Sequence, residues 1–185
     1  AADGFIHVFG ETSTEKRIDY KKIVKEVIRE IGYQADELSL DCEFYRMLIT
    51  MNSQSPDIVM GVVKDEICAG DQGLMFGYAT DETPTFMPLP VHLSHQLCMK
   101  LAEVRNTGEL PYLKPDGKAQ VSLGYSKQHK PLSVEAVVVS TQHTEDVDIT
   151  TLREDVMTHI IKKVIPHELL TEDTQVFINP TGRFV

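Results

Sequence analysis

The stretch KAQVSLGYSKQHKPLSVEAVVVSTQ, residues 118–142, constrains the fold more than any other part of the chain. Two runs rich in Val, Leu and Ser flank the turn-like SKQHKP, which reads as a β-hairpin. A hairpin excludes a purely parallel sheet. The remaining pattern alternates strands with helices. FIHVF (5–9) and FYRMLITM (44–51) read as strands, and DYKKIVKEVIREIGY (19–33) as a helix with Ile23, Val24, Val27, Ile28 and Ile31 on one face and Gly32 as its stop. PLPVHLSHQLCMKLAEVRNTG (88–108) is a second helix, entered through Pro90 and ended by Gly108. TTLREDVMTHIIKKVIP (150–166) is a third, with Thr151 and Glu154 in capping-box register, and TQVFINPTGRFV (174–185) carries a last strand. NSQSPDIVMGVVKDEI (52–67) reads as a loop interrupted by Pro56 and Gly61, and one further strand is expected between it and the second helix.

This order predicts an α+β fold of mostly antiparallel sheets with helices on one face, built from pseudo-repeated strand-helix-strand units. Two repeat domains are expected, residues 1–70 and 71–185, the first containing a loop at about 54–67. Three helices are few for about six strands, so a flat sheet face is expected to serve as a subunit interface.

Composition narrows the function. The formal net charge is −10, from 28 acidic against 18 basic residues, which makes nucleic acid and acidic membrane surfaces poor partners. Cys42, Cys68 and Cys98 are odd in number and lack CxxC spacing, as expected of reduced thiols in a cytoplasmic protein, and are read as buried small hydrophobes. The beginning of the chain has no basic-then-apolar pattern, so no signal peptide is expected. No apolar run approaches a membrane span in length. His92 and His95 form an H-x-x-H with no evident third ligand and read as surface histidines. Met75, Phe76 and Tyr78 read as core.

Five segments carry more polar and glycine residues than connections require: GETST (10–14), QSPDI (54–58), AGDQG (69–73), KPDGK (114–118) and NPTGRF (179–184). Each alone reads as a turn or a solvated strand end, and Asp116-Gly117 needs no more than a β-turn. Taken in order, AGDQGLMFGYATDET, LPYLKPDGKAQV, VVVSTQHTED and INPTGRFV resemble the methionine adenosyltransferases, also called S-adenosylmethionine synthetases, over essentially the whole chain. The resemblance implies a transferase that joins ATP and L-methionine: the sulfur attacks the ribose C5′ carbon and displaces triphosphate, which is hydrolysed to pyrophosphate and phosphate. It implies Mg2+ and K+ as cofactors, a homodimer or dimer of dimers, and no metal ligand among the residues matched here.

Position by position, the resemblance implies that Glu11 holds the methionine ammonium, Gln54 contacts methionine at the base of an active-site loop, and Asp71 lies beside methionine and the reacting centre. It implies that Asp116, Gly117 and Lys118 bind the nucleotide, with Lys118 and Asp71 catalytic, and that Arg183 and Phe184 contact the adenine side. The family's GHPDK motif, and the GGP and GLTGRK-like segments expected beyond GRFV, do not occur in these 185 residues. The loop after QSPDI is a few residues short. The chain is therefore expected to hold about the middle half of such an enzyme and to be inactive alone. The alternative is a non-catalytic relative acting as a subunit-interaction module.

Overall fold

The computed structural model describes residues 5–12, 14–33, 46–62, 68–69 and 72–185. They form two compact units, Ala1–Gly77 and Tyr78–Val185. Among the described residues, no helix is long and apolar enough to cross a membrane.

In the first unit, β1 (Phe5–Glu11) and β2 (Arg46–Asn52) pair in parallel, in register from Phe5↔Arg46 to Glu11↔Asn52. Parallel strands need a long crossover, and α1 (Tyr20–Ile31) lies within it. Asp19 caps α1 through its carboxylate, which accepts from the Lys22 N–H at 3.0 Å. Gly32 ends the helix in the left-handed region at φ 100°, a conformation that carries a Cβ penalty in any other residue. Side chains alternate along both strands, leaving Phe5, His7, Phe9 and Glu11 on one face. The His7 and Phe9 rings lie 5.0 Å apart, and His7 Nε2 lies 3.0 Å from Thr50 Oγ1.

The loop expected at 52–67 contains a helix, α2 (Pro56–Val62). Pro56 opens it instead of interrupting it: at the first helical position its missing N–H costs nothing and its fixed φ suits the helix. The strand expected before the second long helix is absent from the described residues. Residues 72–80 have no regular structure, and Met75, Phe76 and Tyr78 are exposed by 91%, 95% and 77% instead of entering the core. A strand requires a ladder partner, and this segment has none among the described residues. Cys68 is exposed and Cys98 half-buried, so neither is a fully buried hydrophobe, while Cys42 lies outside the described residues.

The second unit holds the main core. β3 (Leu113–Tyr125) and β4 (Pro131–His143) form the expected antiparallel hairpin, and β5 (Gln175–Ile178) adds to β4 in parallel. The α+β class holds. Among the described residues, pairing is mixed, with one antiparallel and two parallel ladders, because each strand-helix-strand connection brings its second strand back in the direction of the first. Helix α3 (Leu89–Asn106) buries Leu93, Leu97, Leu101 and Val104 at helical spacing against the sheet. Helix α4 (Ile149–Asp155) continues into a π-helical segment, Val156–Ile161, and then α5 (Lys162–Val164). Leu152, Val156, Ile160 and Ile161 complete the same core with Val137, Val139 and Ile178. The cap of α4 is Asp148, whose Oδ2 accepts from the N–H groups of Thr150 and Thr151, not Thr151 as the spacing predicts. A carboxylate three residues earlier reaches both free donors at once.

Pro88 precedes α3 and offers no side-chain cap. Glu82 supplies one from a distance: its Oε2 accepts from the Leu89 N–H at 2.9 Å and from the Tyr125 hydroxyl at 2.8 Å. The Leu89 bond leads the effects that hold the Glu82 carboxyl below its usual range, whereas burial first, then the Glu82 hydrogen bond, pushes Tyr125 up to about 12. A carboxyl depressed in the folded state stabilises it above the unfolded value, and this is lost as pH falls through the folded value. Glu82→Gln should therefore gain on the parent protein as pH is lowered from about 6 to about 3. Urea denaturation across that range checks it. Parallel profiles would show that the carboxylate contributes nothing as an ion.

Candidate functional site

Sequence position alone scatters the matched residues of the second unit, but the hairpin and the last turn bring them together. KPDGK does not form the β-turn that its composition predicts. It lies within β3, where the register jumps from Leu113↔His143 to Gly117↔Thr141, so that Lys114, Pro115 and Asp116 bulge opposite Gln142. Bulging is favoured because Pro115 cannot donate to the ladder and because Gly117 packs on α3. A Cβ at Gly117 would sit 3.2 Å from Leu101 Cδ1, so glycine keeps the strand close to the helix.

The bulge presents Asp116 and Lys118 outward. Lys118 Nζ is 3.9 Å from Asp116 Oδ2, with side-chain exposures of 69% and 42%. The same ammonium lies 5.0 Å from the centroid of the Phe184 ring, a cation–π contact. Arg183 Nη2 is 3.3 Å from Glu145 Oε1, and both side chains are largely exposed. Solvent-exposed pairs of this kind are worth about 0–1 kcal/mol, so an anionic ligand can take either cation at little cost to the fold.

The turn carrying Arg183 and Phe184 is held rigidly. Asn179, 2% exposed and at φ 41°, accepts from the Thr141 N–H through Oδ1 at 2.8 Å and donates through Nδ2 to the Thr141 carbonyl at 3.0 Å. Its own N–H donates to the Val139 carbonyl at 2.9 Å, and its carbonyl accepts from Arg153 Nη2 at 3.1 Å and from the Gly182 N–H at 2.9 Å. Arg153 Nε also donates to the Ile178 carbonyl at 2.9 Å. Asn179, Arg153, Glu145 and His143 were not singled out by the sequence. The available signal was a histidine closing the β-branched run VVVSTQH and an asparagine before Pro180.

In the first unit, Glu11 ends β1 opposite Asn52, and the Thr12 N–H donates to the Asn52 carbonyl at 3.0 Å. Gln54, half-buried, follows two residues beyond Asn52, so both matched residues lie at the carboxyl ends of the parallel pair. Asp71 lies outside the described residues. Among the described residues, no three His, Cys, Asp or Glu side chains converge in a way that could hold a metal ion. His92 Nδ1 contacts Thr85 Oγ1 at 3.2 Å on a partly open surface, as an ordinary surface histidine does.

The geometry defines an α+β protein with a candidate ligand face in its second unit: a carboxylate, an ammonium and an aromatic ring in one cluster, and an exposed guanidinium on the residue next to the ring. Two family models match the chain, the S-adenosylmethionine synthetase N-terminal domain over residues 1–56 and the S-adenosylmethionine synthetase central domain over residues 66–184. The chain belongs to the S-adenosylmethionine synthetase family. It is 46% identical to the S-adenosylmethionine synthase of Clostridium botulinum (strain Alaska E43 / Type E3) over 194 aligned positions, which cover 98% of this chain and 49% of that protein. The chain thus spans about half the length of the curated relative it matches.

Proposed function

We propose that this chain is the part of a methionine adenosyltransferase that binds the nucleotide and contributes to the methionine site. One observation carries the reading: the cluster of Asp116, Lys118 and Phe184 within a single unit. ATP offers a flat base, a ribose with two hydroxyls and a polyanion. Phe184 can stack on the base with Arg183 beside it, Asp116 can accept from the ribose hydroxyls, and Lys118 can face the polyphosphate.

In the reaction, the methionine sulfur forms a bond to C5′ as the C5′–O5′ bond breaks, and the bonding pair leaves on the triphosphate. A thioether has no proton to lose, so no general base is required. The chemistry asks for alignment of sulfur, carbon and leaving oxygen, and for positive charge where the triphosphate departs. Lys118 supplies that charge. Water then cleaves the triphosphate to pyrophosphate and phosphate. Glu11 pairs with the methionine ammonium, Gln54 with its polar backbone groups, and Asp71 with the developing sulfonium. Mg2+ and K+ belong to the family reading, but the described residues offer no fitting ligand set, so no step is assigned to a metal here.

The protein is further proposed to be cytoplasmic and to act as a homodimer or dimer of dimers. Supporting the assembly, Leu132 and Phe177 are exposed by 59% and 43% on strands whose helix-covered face is already buried. Sedimentation velocity should show a dimer or larger species at micromolar concentration. A compact monomer would count against the assembly.

Glu11→Gln should raise the KM for methionine about 10-fold or more, as expected for a lost charge-assisted contact, with the KM for ATP within about twofold. An unchanged methionine KM would remove Glu11 from that role. The activity itself is tested with protein from the complete reading frame, supplied with ATP, methionine, Mg2+ and K+. Equimolar S-adenosylmethionine, pyrophosphate and phosphate are expected. No sulfonium product at high enzyme concentration would overturn the proposal.

A further inference from the structure

We infer that His143 is a positioning residue for the nucleotide: its imidazole fixes the backbone of Phe184, and through it the ring on which the base stacks. This rests on the nucleotide reading of Phe184 above. His143 is 2% exposed at the end of β4 and is tied to Phe184 at both of that residue's polar backbone groups. The His143 N–H donates to the Phe184 carbonyl at 2.9 Å, and Nε2 accepts from the Phe184 N–H at 3.1 Å. For Nε2 to accept, the proton must sit on Nδ1, which lies 2.8 Å from the Thr144 carbonyl and donates to it. The two partners therefore select one neutral tautomer.

The arrangement does more than satisfy a buried ring. Phe184 belongs to no strand, yet it is joined to β4 by two bonds, as a ladder residue would be. Lys118 on β3 is in register with Ser140 on the same β4. One strand thus sets both the ring and the ammonium 5.0 Å from its centroid. A phenylalanine held only by its chain neighbours would have to be ordered by the nucleotide, and that ordering would be subtracted from affinity.

The backbone bond from the His143 N–H survives substitution by Gln or Asn, so these variants probe the two ring bonds, Nε2 to the Phe184 N–H and Nδ1 to the Thr144 carbonyl. His143→Gln places an amide oxygen near the Nε2 position, whereas His143→Asn reaches only the Nδ1 position. In the complete protein, His143→Asn is expected to raise the KM for ATP about tenfold, with methionine KM within about twofold and kcat at saturating ATP within about threefold. His143→Gln should stay within about threefold of the parent in all three constants. Added to Phe184→Ala, His143→Asn should cost no more than about a further twofold, because the residue acts through that ring. The inference is overturned if the asparagine variant keeps the parental KM for ATP, if glutamine is no better than asparagine, or if the asparagine effect persists in full without the Phe184 ring. An unchanged KM for ATP in Phe184→Ala would instead overturn the nucleotide reading. Hydrogen exchange at the Phe184 amide then judges the clamp by itself: faster in asparagine and protected in glutamine is expected, and equal rates in parent and both variants overturn it.

Discussion

Lys118→Ala in the complete protein is expected to lower kcat by about 10²–10³-fold, the usual loss when one preorganised charge is withdrawn from a transition state. The KM for methionine should change by no more than about threefold. Lys118 makes only exposed contacts, to Asp116 at 3.9 Å and over Phe184 at 5.0 Å, so its removal leaves no buried group unsatisfied. The loss should therefore be chemical and not structural. Negative charge on the triphosphate grows as the C5′–O5′ bond breaks, so a cation there acts more strongly on the transition state than on bound ATP. Lys118→Arg keeps the charge but spreads it over a planar fork and should recover only part of the rate. Parental turnover with a raised methionine KM would move Lys118 to the other substrate.

The second large effect is on stability. Asn179→Ala should destabilise the protein by about 3 kcal/mol, since it strands two buried backbone groups at about 1–3 kcal/mol each. Those groups are the N–H and carbonyl of Thr141, itself 1% exposed. Asparagine also tolerates the φ of 41° better than alanine. Asn179→Gly separates the two contributions: it relieves the backbone but not the lost bonds, and should remain destabilised by about 2 kcal/mol or more. Urea midpoints measure both. Full recovery in the glycine variant would mean that backbone strain, not hydrogen bonding, sets the cost. Because Asn179 begins the turn that ends in Phe184, both variants should also weaken ATP.

Much of the frame is legible in the sequence, for identifiable reasons. The hairpin, α1 with its Asp19 and Gly32 ends, and the apolar face of α3 are written in local patterns that tertiary contacts then reinforce. The misreadings arise where residue type alone does not fix the local structure. Asp-Gly favours a turn, but residues 114–118 became a bulged strand because β4 supplies a ladder and Leu101 rewards the close approach of Gly117. Proline reads as a breaker, yet Pro56 starts α2. Met75, Phe76 and Tyr78 look like core by type, but type cannot say whether a partner is present, and in this structure they are exposed.

The site divides the same way. Asp116, Lys118, Arg183 and Phe184 were found by resemblance, and the fold brings Asp116, Lys118 and Phe184 into one cluster, with Arg183 next in sequence to the ring. His143 and Asn179 carry no local signal because their contribution is to hold Phe184 and its turn, and that depends on contacts across 41 and 38 residues of sequence respectively.

The central claim, that the base lies on Phe184 with the polyphosphate at Lys118, is tested most directly by photolabelling the complete protein with 8-azido-ATP and mapping the modified peptide. The account predicts label within residues 179–184, suppressed by excess ATP and reduced in Phe184→Ala. An open cavity of about 710 Å³ elsewhere in the second unit, lined by Gln96, Met99, Lys100, Glu103, Lys163 and Val164, provides the contrasting outcome. ATP-suppressible label there, with none at 179–184, would contradict the account.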